Sequence, residues 1–128
     1  MAEDVPPEAA WEALRRDPQA RLVDVRTEGE WRAVGVPDTA EAGAEVVLLP
    51  WQFSPAEINA GFVDGLAEAG LTPENHLYFI CRSGARSQAA AEAARAAGYP
   101  TVYNVASGYE GSRSGVGWKA AGLPAKSV

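Results

Sequence analysis

Leu77-Tyr78-Phe79-Ile80-Cys81-Arg82-Ser83-Gly84-Ala85-Arg86-Ser87 decides how the chain is read. Residues 77–80 are a short, wholly apolar run of the kind that suits a strand buried on both faces. Over residues 88–97 the composition shifts to Ala, Glu and Arg, strong helix formers, and Gly98 supplies a C-terminal stop. The one cysteine of the sequence, Cys81, stands between them at the head of a turn carrying two arginines. A thiol at the end of a buried parallel strand, facing a helix N-terminus, is placed where a thiolate is stabilised. The helix dipole, free backbone N–H groups, Arg82 and Arg86 all favour the anion. A lone cysteine is more often a small core hydrophobe. Here, however, Arg-Ser-Gly-Ala-Arg-Ser does not continue a strand. Gly84 also permits the tight or left-handed backbone that a loop curled round a sulfur needs. The functional reading of Cys81 is therefore preferred.

Upstream, Ser54-Pro55-Ala56-Glu57 has the form of a helix start, with Ser at the N-cap, Pro at N1 and Glu at N3. The predicted helix carries Ile58, Phe62, Leu66 and Ala69 as an apolar stripe and stops at Gly70. His76, the sole histidine, precedes the cysteine strand. A strand of about five residues spans roughly 16 Å, so His76 is expected on a surface turn, out of reach of the sulfur. Residues 45–49 read as a buried strand stopped by Pro50, which would put Trp51 near the same carboxyl edge as Cys81. Core packing is the expected role for Trp51 and Phe53, with pocket lining as the alternative. Residues 21–26 read as an earlier strand in which the Asp24 carboxylate interrupts an apolar run. Asp24 is either a strand-end residue or a partner for arginines and loop amides. Thr27 and Glu30 form a capping-box pattern for a short helix, a local stabiliser. Pro6-Pro7 opens a helix over 8–16 with Trp11 and Leu14 on one face. Residues 101–105 make a fourth strand.

Strands alternating with helices indicate an α/β domain with a parallel sheet and helices on both faces. At 128 residues the chain is read as one domain, 1–128. A net charge of −6 argues against a general nucleic-acid or anionic-membrane surface. One cysteine excludes an internal disulfide and a multi-cysteine metal centre. The acidic start lacks the basic and apolar regions of a secretory signal, and no stretch is apolar enough to span a membrane. The expected location is the cytoplasm, and no metal or cofactor is expected. Glycines flank Lys119, but no Gly-Lys-Ser/Thr occurs, so a nucleotide-binding loop is unsupported.

Cys81, Arg82, Gly84, Arg86 and Ser87 together resemble the active-site loop of the rhodanese (sulfurtransferase) family, Cys-Arg-x-Gly-x-Arg followed by Ser or Thr. Leu22-Val23-Asp24-Val25-Arg26, followed by Thr-Glu-Gly-Glu-Trp, is similar to a second rhodanese segment. Tyr103-Asn104-Val105 with Ser107-Gly108-Tyr109, and Trp118 to Pro124, resemble the closing segments. The resemblance covers residues 8–124. Residues 34–44 keep Val36-Pro37 but lack the family's His and Gly-Ala.

The resemblance implies a rhodanese-like α/β fold of four to five strands, the fifth strand being unplaced. It implies that Cys81 accepts a sulfane sulfur as a persulfide. Arg82, Ser83, Gly84, Ala85, Arg86 and Ser87 would then form the anion-binding loop, with Asp24 and Arg26 lining or bracing it. Trp51 is a further pocket candidate, and Arg113 is left open. Arg82 or Arg86 would attract the donor anion. The expected reaction moves sulfur from thiosulfate, or a similar donor, to a thiol, cyanide or a protein acceptor. The alternatives are a cysteine-dependent phosphatase or arsenate reductase, and a non-catalytic persulfide carrier or binding module. Phosphatase and arsenate-reductase loops on the similar fold are usually one residue longer between Cys and Arg. The four residues here suit a single sulfur atom.

Overall fold

The computed structural model describes residues 2–128. Its centre is a five-stranded sheet of β1 (Glu3–Val5), β2 (Ala20–Asp24), β3 (Val47–Leu48), β4 (His76–Ile80) and β5 (Val102–Val105). The order across the sheet is β1-β5-β4-β2-β3, and every neighbouring pair is parallel. The helices are α1 (Pro7–Arg16), α2 (Glu28–Val34), α3 (Phe62–Glu68) and α4 (Ala85–Ala96). The α/β expectation is borne out, and the unplaced strand is β1.

Side-chain alternation along β4 divides the core. Leu77, Phe79 and Cys81 join Phe62, Leu66, Ala90, Ala91 and Ala94 on one face. Tyr78 and Ile80 join Ala10, Leu14, Tyr109 and Trp118 on the other. The alanines of α4 let its axis lie close to β4 and β5, as small side chains permit. Trp11 meets Trp118 edge to face at 5.9 Å, a packing role.

Three expectations need correction. The helix predicted from Ser54 begins only at Phe62. Gln52–Ser54 and Glu57–Ile58 form an antiparallel hairpin instead, with Pro55 and Ala56 at its turn. The Ser54 hydroxyl accepts the Ala56 N–H, a turn bond rather than a cap. Asn59 then bonds to the Pro50 carbonyl and the Gly61 N–H, which commits that segment to a turn. Ile58 is consequently exposed, whereas Phe62 and Leu66 remain buried. Phe53, expected in the core, is 53% exposed on this hairpin. Finally, the strand predicted at 45–49 shrinks to Val47–Leu48, an edge strand with Leu48 exposed.

Candidate active site: the Cys81 loop

Cys81 leaves the carboxyl end of the central strand β4, and only three residues separate it from α4. The helix starts earlier than its composition indicated, because Gly84 turns the chain with φ +105° and acts as the N-cap. A Cβ at Gly84 would stand 2.2 Å from the Ala106 carbonyl oxygen, so this close approach requires glycine. The turn aims the Gly84 N–H at Cys81 Sγ, 3.1 Å away. Ser87, one helical turn along α4, brings its hydroxyl to 3.2 Å from the same sulfur. Cys81 is 1% exposed, whereas Arg82, Ser83 and Ala85 face solvent.

The base of the loop is clamped by residues 106–110. The Tyr109 and Glu110 N–H groups donate to the carbonyls of Cys81 and Arg82 at 2.8 and 3.0 Å. Gly108, at φ +67°, fits against them because a Cβ there would lie 2.3 Å from the Arg82 carbonyl oxygen.

The two loop arginines differ. Arg82 is 65% exposed and lies 3.4 Å from Glu110. Arg86 is mostly buried and makes a fork of two bonds, 2.7 and 2.8 Å, to the Glu30 carboxylate. The fork makes Arg86 a fastening for the loop, whereas Arg82 lies on its exposed side. Glu30 also closes the capping box with Thr27 at the start of α2. Its role therefore exceeds the local one the sequence suggested, since it ties α2 to the cysteine loop. Burial would raise the Glu30 carboxyl, but the Arg86 and Thr27 hydrogen bonds outweigh it and hold the group down to about 2, from an ordinary 4.5.

A depressed folded-state value means that the stabilisation is complete above pH 4.5 and is lost as pH falls towards 2. Glu30→Gln is therefore expected to be less stable at pH 7 by an amount on the order of 2–3 kcal/mol. The gap should narrow through that acid window, as read by urea unfolding at pH 7 and pH 3. A gap that is equal at both values would show that the ion pair is not its source.

Asp24 and Arg26 are completely buried at the carboxyl end of β2, where Asp24 sits in register with Ile80. Arg26 Nη2 lies 2.6 Å from Asp24 Oδ2, and Nε lies 3.0 Å from Oδ1. The same guanidinium donates to the Gly35 carbonyl and sits 4.1 Å above the Tyr109 ring. The pair thus joins β2 to the segment that clamps the cysteine loop and presents no charge to solvent. Trp51 packs edge to face on Phe62 at 5.2 Å, against the core cluster that contains Cys81. Arg113 lines a cleft of about 360 Å³ with Asp4, Ser83, Gly84 and Asn104. His76 opens β4 beside the Asp17 carboxylate, at the opposite end from Cys81. Hydrogen bonds from the Gln19 backbone and His76 hold Asp17 below its ordinary value.

Two participants, Asn104 and Asp4, were not among the expected site residues, although Asn104 stood in a segment that carried the resemblance. Ser87 Oγ lies 2.5 Å from Asn104 Oδ1, and Asn104 Nδ2 donates to Asp4 Oδ1 at 3.1 Å. The available signal was one buried polar residue between Tyr103 and Val105 in an otherwise apolar strand end.

Residues 4–127 match the family described as the STR4 middle domain. A crystal structure of Rv0390 from M. tuberculosis superposes with a TM-score of 0.87 at 43% identity, covering 99% of this chain and 98% of that one. The polysulfide-sulfur transferase homodimer of Wolinella succinogenes gives 0.71 at 25% identity, covering 99% and 80%. The chloroplastic protein THYLAKOID RHODANESE-LIKE of Oryza sativa subsp. indica is 35% identical over 117 residues, 91% of this chain and 23% of that protein. With its parallel sheet and its cysteine loop capped by α4, the chain belongs to the rhodanese-like family, in the group of the STR4 middle domain.

Proposed function

We propose that the chain is a sulfurtransferase that carries a sulfane sulfur on Cys81 as a persulfide. The observation that carries this reading is the cradle itself, with Gly84 N–H 3.1 Å from a sulfur at the mouth of a helix. The Cys81 thiolate attacks the outer sulfur of thiosulfate. A bond forms between Sγ and that sulfur, the S–S bond of thiosulfate breaks, and sulfite leaves with the electron pair. Cyanide, a small thiol or a protein thiol then attacks the terminal sulfur, and Cys81 departs as thiolate. Donors fixed in place before the reaction favour the charged sulfur at both steps. Arg82 and Arg113, on the exposed side of the loop, draw in the anionic donor and oppose the charge on sulfite.

A reducing compartment such as the cytoplasm suits this chemistry, because it keeps the Cys81 thiol from mixed disulfides. Among the described residues no helix is long and apolar enough to cross a membrane.

Turnover separates the readings. Thiosulfate and cyanide should yield thiocyanate with the parent protein, and Cys81→Ser should yield none above background. Hydrolysis of p-nitrophenyl phosphate that depends on Cys81, without thiocyanate formation, would overturn the assignment in favour of a phosphatase.

A further inference from the structure

The Ser87 hydroxyl has one proton and three neighbours able to accept it. These are Asn104 Oδ1 at 2.5 Å, Gly84 O at 3.2 Å and Cys81 Sγ at 3.2 Å. All three groups are buried, and Ser87 and Asn104 are 0% and 3% exposed. The Asn104 amide has a fixed orientation. Its Nδ2 faces Asp4 Oδ1 at 3.1 Å and Gly84 O at 3.2 Å, both acceptors, which leaves Oδ1 to face Ser87. Gly84 O already receives the Gln88 N–H within α4 and does not depend on the serine.

We infer that Asn104 is a positioning residue that holds the Ser87 proton away from Cys81 and so limits how much of that cysteine is thiolate. With the proton on Asn104 Oδ1, Ser87 offers the sulfur only a lone pair, which suits a thiol. Ionisation of Cys81 calls for the hydroxyl to turn and donate to Sγ. That turn leaves Asn104 Oδ1 buried without its donor, an unfavourable state. The Gly84 N–H serves the anion in either arrangement. Asn104 and Ser87 thus form a two-position hydrogen-bond device behind the reacting sulfur.

Replacing Asn104 takes one hydrogen bond from Asp4 and leaves the charges around the sulfur in place. On α4 this is Arg86, with Glu30 from α2 and Asp24 from β2 acting on it. On β1 it is Asp4, which also accepts from the Gln88 side chain at 3.2 Å. In the loop it is Arg82, with Glu110 beside it. The inference rests on Cys81 being the reacting group, as in the proposed function, and not on the identity of the sulfur donor.

The test is the rate of Cys81 alkylation by iodoacetamide as a function of pH, without any sulfur compound. Asn104→Leu removes the competing acceptor with little change in shape, and it should lower the midpoint of the profile by about one pH unit. Asn104→Val, suited to a strand, should shift it the same way and serves if the leucine variant does not fold. Ser87→Ala should raise the midpoint far more in the Asn104→Leu background than in the parent, because only there is the hydroxyl free to donate. A midpoint that is unchanged or higher in both Asn104 variants would overturn the inference, as would additive effects of the two substitutions. Because the probe is an alkylating agent, either result stands whether or not thiosulfate proves to be a substrate.

Discussion

Arg26→Leu is expected to lower the unfolding free energy by about 3–5 kcal/mol, because it leaves a buried carboxylate without its partner. Asp24 and Arg26 are both completely buried, and three of the guanidinium's hydrogen bonds are spent on that one carboxylate. Once the guanidinium is gone, Asp24 keeps the Arg26 backbone N–H at 3.1 Å. The Gly35 carbonyl and the face of Tyr109 lose their cation as well. Adding Asp24→Leu to the same chain removes the stranded charge and should recover at least half of the loss, since apolar pairs often replace buried ion pairs at little cost. Urea unfolding of the two variants measures both effects. A loss below about 1 kcal/mol in the single variant would mean that the pair is not a structural joint between β2 and the Tyr109 segment.

The second large effect is catalytic. Gly84→Ala should reduce sulfur transfer by about 100-fold, the scale seen when one fixed donor to a developing negative charge is lost. The new Cβ would meet the Ala106 carbonyl, and the backbone at φ +105° would be driven out of the left-handed region. Either movement takes the Gly84 N–H away from Cys81 Sγ. Gly43→Ala is the control, because Gly43 has φ +106° and open space where its Cβ would lie. It should carry a comparable backbone penalty of about 1 kcal/mol with unchanged turnover. Equal losses of activity in the two variants would assign the effect to general strain, not to the cradle.

Much of this was legible in the sequence, because the cysteine segment carries its own instructions. An apolar run of strand length, a glycine in the turn and an alanine-rich helix are local signals, and each matched what tertiary packing required. The capping box of Thr27 and Glu30 was equally plain. Its second use was not, because the partner Arg86 lies 56 positions away and no local pattern links them. The bond between Asn104 and Asp4 was hidden for the same reason, the two being separated by 100 positions and joined only when β1 pairs with β5. β1 is itself a short acidic edge strand with little apolar content, and its existence depends on β5 being there to accept it. The segment after Ser54 misled in the opposite way. Its Ser-Pro-Ala-Glu start fits a helix, but Asn59 and Gly61 are turn formers that bond to nearby backbone, and they cut the apolar stripe between Ile58 and Phe62.

In the proposed reaction Cys81 itself carries the transferred sulfur. The most direct test is the intact mass of the reduced protein and of Cys81→Ser after exposure to thiosulfate and removal of excess reagent. The parent should gain one sulfur atom, a change reversed by a reducing thiol and absent from the variant. An unchanged parent mass, with Cys81 still open to alkylation, would contradict that reaction.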